Sequence, residues 1–333
     1  MLQRIRRRFN VSTARLGLYL LKRSNVVSGF FGDWRWALFD RAERAGLHIL
    51  PVHYYSPLPD VGALVLDDNT PHFMAASPET LDAALSDLNA MAVRYEAAYA
   101  AIAQRVPFAD TDPVTEFRFG KAPYSTLEAE LLYGLIRSAK PRQIVEIGCG
   151  HTTFLIAEAI RAERDSGYAP TFECIEPFRP DYLETLPAEV TRFRDTPLQS
   201  VPVERFLELQ AGDILFIDSS HVVRYGSDVV YELATILPRL RPGVLVHFHD
   251  IFLPYDYPSD WLLEGRFFWN EQYMLSALLQ DAPRYRIRYP LHQLYRQRRA
   301  ETERLFPLLG QTGHRPGAYW IEILETDNAS HAG

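Results

Sequence analysis

A chain of 333 residues, 47% hydrophobic and 23% charged, can bury one large core and a smaller appended one. No run approaches the roughly 20 apolar residues of a spanning helix. The first 23 residues lack the apolar core and cleavage site of a secretory signal, and with Cys149 and Cys174 as the only cysteines a disulfide framework or cysteine-rich zinc site is not expected. The cytoplasm is the expected compartment.

The formal charge of −7 is uneven along the chain. Residues 1–23 carry Arg4, Arg6, Arg7, Arg8, Arg15, Lys22 and Arg23 and no acid, leaving 28 basic against 42 acidic residues elsewhere. An acidic remainder repels a polynucleotide backbone, so a small-molecule substrate is expected rather than a nucleic acid. The basic start, with Ile5, Phe9, Leu16 and Leu20, could touch an anionic membrane surface peripherally; its plainer reading is a solvated terminus.

Further on, a helical pattern runs from about Trp34 to Ala45, followed by His53-Tyr54-Tyr55-Ser56-Pro57-Leu58-Pro59-Asp60, whose prolines exclude regular helix. Leu81, Leu85, Leu88, Ala92, Tyr95 and Tyr99 recur at steps of four and three, predicting one long helix capped by Ser77 with Pro78 at its first position. Residues 1–119 thus read as a mainly helical accessory region.

After residue 120 the pattern alternates. Ser125-Thr126-Leu127-Glu128 reads as a capping box opening a helix to about Arg137. Strands are expected at Gln143–Ile147, Thr171–Ile175, Val190–Arg194, Ile214–Asp218 and Val244–His249, with a helix from Thr152 to Arg164 and helices between the later strands. Such alternation predicts an α/β fold, a parallel sheet covered on both faces. Two late strand-like runs, Tyr285–Tyr289 and Ala318–Leu324, flank an arginine-rich segment expected to be an exposed helical insertion, and residues 326–333 read as a disordered tail.

Ligands of such sheets bind beyond the carboxyl ends of the strands, where strand order reverses. There lies Glu146-Ile147-Gly148-Cys149-Gly150-His151-Thr152-Thr153, whose glycines allow a tight turn and close approach of a ligand. Glycines alone would equally suit a pyrophosphate. Glu146 instead favours S-adenosylmethionine, because a carboxylate there can receive the donor's ammonium group but would repel phosphate. The third glycine of the dinucleotide pattern is replaced by Thr153, and Glu176, ending the second strand, can accept both ribose hydroxyls. An NAD-dependent oxidoreductase stays open on Gly148, Gly150 and Glu176, and so does a non-catalytic binding protein of the same fold.

Asp218 ends the fourth strand with His221 three residues on, while His249 and Asp250 end the fifth. His221 is a candidate general base, assisted by Asp218, against the plainer role of fixing a loop. Asp218, His249 and Asp250 could hold a divalent metal, Mg²⁺ or Mn²⁺, that lowers the pKa of an acceptor hydroxyl. Prolines and aromatics from Ile251 to Trp261 and from Trp269 to Tyr273 suggest a lid or a packed connector, and Tyr124 could close over the cofactor.

The glycine turn, Glu176, the segment Gly212 to His221 and the segment Leu237 to Asp250 together resemble class I S-adenosylmethionine-dependent methyltransferases, over roughly residues 120–325. The likeness is to bacterial members that tailor sugars and secondary metabolites. It implies a Rossmann-like sheet of seven strands with the last antiparallel, and cofactor contacts from Glu146, Gly148, Gly150, Thr152, Glu176 and Asp218. Thr152 stands where the family's first motif has its third glycine. Methyl transfer to a hydroxyl of a small polar acceptor is the activity expected, with His221 as base; acceptor identity and self-association stay open.

Overall fold

Gly148 and Asp218 end up side by side because short apolar strands stop level with one another. In the computed structural model, which describes residues 42–48, 50, 54, 56–105, 116–118, 124 and 126–325, β1 (Gln143–Ile147) pairs in parallel with β2 (Thr171–Ile175) on one side and β4 (Ile214–Ile217) on the other. Strands β3 (Arg192–Arg194) and β5 (Leu245–Phe248) extend the parallel sheet outward. The last two, β6 (Tyr285–Pro290) and β7 (Tyr319–Ile323), complete the order β3-β2-β1-β4-β5-β7-β6, with β7 antiparallel to both neighbours. The expected seven-stranded sheet with its last strand reversed is therefore present. Strand order reverses at β1, which opens a crevice between the ends of β1 and β4.

Registers fix what faces that crevice. Ile147 lies opposite Ile217, and the Asp218 N–H donates to the Ile147 carbonyl at 2.9 Å. Ile217 in turn lies opposite Phe248, and the His249 N–H donates to the Ile217 carbonyl at 3.0 Å. The strand interiors are buried on both faces, each face under its own apolar cluster.

Helices cover the sheet less regularly than expected. Helix α3 (Glu128–Ala139) and α4 (His151–Ala162) are regular, whereas β2, β3 and β4 are joined by 3-10 turns: Asp181–Leu183, Leu198–Ser200 and Val203–Glu208. Each follows a proline, Pro180, Pro197 or Pro202, which lacks the N–H a longer helix would use. Between β4 and β5 a short helix, α5 (Asp228–Tyr231), runs into a π-helical turn, Glu232–Ile236.

The long helix of the accessory region also departs from its reading. Helix α1 (Pro78–Arg94) has the expected Ser77 cap, whose hydroxyl accepts the Thr80 N–H, but it breaks at Tyr95 and resumes as α2 (Glu96–Ala103). Leu81, Leu88, Tyr95 and Tyr99 are buried in the cluster that also holds Leu131, Leu294 and Trp320. Two compact units divide at Leu66/Asp67, so α1 and α2 belong to the unit that contains the sheet, and the division expected near residue 120 falls inside it. The capping box was misplaced: Glu130, not Glu128, accepts the Leu127 N–H and the Thr126 hydroxyl, because Glu128 turns away to accept the Gly317 N–H at 2.6 Å.

The arginine-rich segment is not simply exposed. Helix α6 (Glu271–Leu279) precedes β6, and α7 (Leu291–Gln297) and α8 (Arg299–Leu305) follow it, burying Leu291, Leu294 and Thr302 while their arginines face outward. The basic start, the tail and most of the Trp34–Ala45 pattern lie outside the described residues. In the first unit the described residues hold a 3-10 turn, Val61–Ala63, capped by Asp60. Among the described residues no helix is long and apolar enough to cross a membrane.

Candidate functional site

The glycine turn is built around one indispensable glycine. Gly148 has φ +80°, and a β-carbon there would lie 1.7 Å from the Asp218 carbonyl oxygen, so only glycine lets β1 turn against β4. Gly150 is different. Its φ of −161° is ordinary extended backbone, and an added β-carbon would meet only the Tyr182 hydroxyl at 3.5 Å.

Glu146 does not face the crevice. It is completely buried, and its two oxygens accept the hydroxyls of Thr152 at 2.6 Å and Thr153 at 2.8 Å, with the Cys174 thiol donating at 3.5 Å. Burial pushes its pKa up to about 7 against these hydrogen bonds. Glu146 and Thr152, expected to touch the cofactor, are bonded to one another, and with Thr153 they brace the first turn of α4.

Glu176 does reach the crevice. Half-buried at the end of β2, it accepts the Cys149 N–H at 3.2 Å and the Phe178 N–H at 2.6 Å, which ties it to the glycine turn. It lines a cavity of about 380 Å³ with Gly148, Phe178, Leu198, Gln199 and Asp218. A second cavity of about 560 Å³ adjoins it, lined by Glu128, His221, His249, Asp250 and Trp269 among others. Asp218, Ser219 and Ser220 line both, so a ligand in the first meets a ligand in the second at the end of β4.

Four ionisable side chains converge there. Asp218 Oδ1 lies 3.2 Å from His249 Nδ1 and 3.3 Å from His221 Nε2. Asp250 Oδ2 lies 3.5 Å from His249 Nδ1 and 3.7 Å from His221 Nε2. Both His221 and Asp250 adopt left-handed backbone, φ +58° and +56°, which costs of order 1–3 kcal/mol each and sets their side chains on one spot.

The electrostatics follow from that crowding. Burial alone would strip His249 of its proton, but the Asp250 and Asp218 carboxylates outweigh it and push its pKa up to about 10. His221 is raised well above the ordinary histidine value: burial opposes its charge, but hydrogen bonds to Asp218 and Glu271 prevail. Burial works against ionisation of Asp218 too, yet the His249 charge and the hydrogen bonds from both rings hold its pKa far below the usual range. Asp250 is raised, burial being the stronger influence. The carboxylates around it favour the protonated His221 ring, which is the wrong state for a base. Asp218, His221 and Asp250 place ligand atoms within 4.8 Å of one another, so His221 is near enough to serve as a metal ligand, and His249 Nδ1 lies 3.2 and 3.5 Å from the same two carboxylates.

Several residues of the site gave no sequence signal. Glu271, fifty positions from His221, pairs with its Nδ1 at 2.9 Å. Glu128 lies 3.9 Å from His249 Nε2. Of the proposed lid, Phe252, Leu253 and Tyr255 are buried as a packed connector, while Trp261 and Trp269 line the larger cavity; Phe267, from between the two expected segments, lines it too and stacks on Trp269 at 4.9 Å. Tyr124 is no lid: it is fully buried, with its hydroxyl 3.3 Å from His247 Nε2 and its ring 5.1 Å from that of His249.

The stretch that carries this geometry, residues 145–251, matches the model of a family described as a methyltransferase domain. Residues 145–251, which include the glycine turn, Glu176, Asp218, His221, His249 and Asp250, are thus similar to a methyltransferase domain. Comparison with curated proteins returned no match. Among solved structures, CmcI with magnesium and SAM is 11% identical, with TM-score 0.38, over 68% of this chain and 84% of that one. An O-methyltransferase from Bacillus cereus in complex with SAH is 13% identical, with TM-score 0.34, over 76% and 93%. An apo structure of CmcI gives 12%, 0.39, 91% and 100%. Likenesses of this degree assign no residue a role.

Proposed function

We propose that this methyltransferase domain moves the methyl group of S-adenosylmethionine to a hydroxyl of a small polar acceptor such as a sugar or secondary metabolite. The observation that carries the reading is the pair of adjoining cavities with a common wall at Asp218–Ser220. In it, the smaller cavity takes the donor, with Glu176 accepting the ribose hydroxyls and Gly148 admitting the amino acid end. Glu146 and Thr152 act by holding the turn. The larger cavity takes the acceptor against Trp261, Phe267 and Trp269, aromatic faces suited to a sugar or planar ring. We place the cofactor-binding domain within residues 120–325, with the preceding helices packed on it as an accessory region.

The donor set of two carboxylates and an imidazole fits a divalent ion, and its nitrogen suits manganese better than magnesium. Asp218, Asp250 and His249 would hold it, and such an ion would orient an acceptor hydroxyl and lower its pKa. Were Asp218 and Asp250 so committed, they would favour the protonated ring less, and His221 Nε2 would face the acceptor as the base. The acceptor oxygen forms its bond to the methyl carbon as the carbon–sulfur bond breaks, and the hydroxyl proton passes to His221. The aligned cavities supply the in-line approach, and a positioned base contributes roughly 10²–10⁴-fold.

The test is mass spectrometry of candidate acceptors incubated with methyl-labelled S-adenosylmethionine, with and without chelator. A product one labelled methyl heavier is expected, suppressed by chelator and restored by Mn²⁺. Failure to bind S-adenosylhomocysteine in calorimetry would defeat the reading.

A further inference from the structure

His221 is held from behind more firmly than a surface loop requires. Its carbonyl accepts the N–H groups of Asn270 at 3.0 Å and Glu271 at 3.2 Å, so the start of α6 is clamped to the left-handed turn. The Asn270 side-chain oxygen also accepts the Val223 N–H at 2.5 Å. The Trp269 ring covers the imidazole with centroids 4.3 Å apart. Glu271, 1% exposed, then sets Oε2 2.9 Å from Nδ1. The ring is thus fixed at its backbone, one face and one nitrogen, and its other nitrogen is turned to Asp218, Asp250 and the larger cavity.

We propose that Glu271 is a positioning residue for His221: it holds the proton on Nδ1, so that Nε2 is the nitrogen presented to the acceptor hydroxyl. The inference rests on the methyl-transfer reading only for its kinetic consequence. Its physical basis is tautomer control. A neutral imidazole carries one proton, and the partner of one nitrogen decides where it sits. An anionic acceptor at Nδ1 also stabilises the imidazolium formed when Nε2 takes a proton.

A second buried acid supports the assignment. Glu232 Oε1 and Glu271 Oε1 are both buried oxygens without a hydrogen-bond partner, while Glu232 Oε2 accepts the Ser219 hydroxyl at 3.1 Å. Burial raises both acids, and the Glu271 charge further opposes ionisation of Glu232. Of the two, Glu271 is the one that His221 meets in a hydrogen bond. Nothing on the sequence marks this: Glu232 lies in the π-helical turn after α5, and Glu271 opens α6.

The test uses the full chain with S-adenosylhomocysteine bound, labelled with ¹⁵N-histidine, the His221 signals being assigned by their loss in His221→Gln. Two-bond ¹H–¹⁵N spectra, recorded at a pH where the ring is neutral, are expected to show a protonated Nδ1 and an unprotonated Nε2; the opposite tautomer would overturn the proposal without any variant. In Glu271→Gln, kcat should fall roughly 10²–10⁴-fold while KM for the donor and the Kd for S-adenosylhomocysteine stay within about twofold. Glu271→Asp should restore part of the loss. Combined with His221→Gln, the Glu271→Gln loss should disappear, because a positioning residue has nothing left to position. Losses that multiply, or a Glu271→Gln enzyme of wild-type kcat, would refute it. If no acceptor is turned over by the wild-type protein, the methyl-transfer reading fails and the Nδ1 spectrum still decides the role of Glu271.

Discussion

Gly148→Ala and Gly150→Ala are the same change two residues apart, and the structure gives them opposite outcomes. At Gly148 the new methyl would have to occupy φ +80°, at about 1–2 kcal/mol for an L-residue. It would also enter the space of the Asp218 carbonyl oxygen, 1.7 Å away. That oxygen is backbone: the Asp218 N–H is pinned to Ile147 and the Gly148 N–H to Ile175, so neither strand end can swing aside without losing a bond. Overpacking of this kind adds about 1–3 kcal/mol, for a total of about 2–5 kcal/mol. At roughly 2–4 °C per kcal/mol for a domain of this size, the melting temperature should fall about 4–20 °C. Gly150→Ala meets no such atom, and loses no more than about 1 kcal/mol through the poorer helix start. Calorimetric melting of both proteins, with urea unfolding as a second probe, is the assay. If Gly148→Ala melts within about 2 °C of wild type, or if the two variants are equally unstable, the account of the turn is wrong.

Glu146→Gln tests whether Glu146 is a buried brace. Its folded pKa of about 7 stands above its ordinary 4.5, so the folded state holds the extra proton and the group's stabilisation, present below 4.5, is lost as pH rises to 7. Wild type minus Glu146→Gln should therefore decline by ~3 kcal/mol over that window, and a flat difference in urea titrations would remove the buried acid from the argument. Glu176→Ala should weaken S-adenosylhomocysteine about 10–100-fold in calorimetry, the usual loss of a charged hydrogen-bond acceptor; undiminished affinity would take Glu176 away from the ribose. Electron paramagnetic resonance of added Mn²⁺ should show a bound signal that is lost in Asp250→Asn and His249→Ala and retained in His221→Gln. The reverse pattern for the two histidines would make His221 a ligand and not the base. Glu128→Gln, acting on His249 from behind, should weaken Mn²⁺ roughly 10–100-fold.

The sheet was legible because its signal is local. Gln143–Ile147 and Thr171–Ile175 are short, mostly apolar runs, the late pair at Tyr285 and Tyr319 is rich in aromatic and β-branched residues, and the structure keeps them nearly to the residue. The covering layer was less so, since Pro180, Pro197 and Pro202 spend the chain on 3-10 turns where the pattern suggested helices. The placement of α1 was hidden for another reason. Its apolar stripe says that it is buried, but not against what; Tyr289 and Gln293, some 200 positions later, hold it through Asp87 and the Ala76 backbone.

At the site the same contrast explains Glu146. Sequence put a carboxylate beside the glycines, and a ligand's ammonium was one suitor for it. Two hydroxyls on the first turn of α4 were nearer and already in the chain. An acid at that position is thus tied down by Thr152 and Thr153 and shapes the turn, while Glu176, one strand over and held only by backbone N–H groups, keeps lone pairs for the crevice. The histidine pair follows the same logic. His221 and His249 look equivalent in sequence, each beside an aspartate at a strand end, and both rings reach the same two carboxylates. What separates them is the acid behind each ring, Glu271 in hydrogen-bond contact with one and Glu128 at 3.9 Å from the other. A ring whose rear nitrogen is firmly held has its front nitrogen's state decided by what it faces, and on the proposed reading the division of labour between base and ligand would be set by residues 128 and 271 rather than by the histidines themselves.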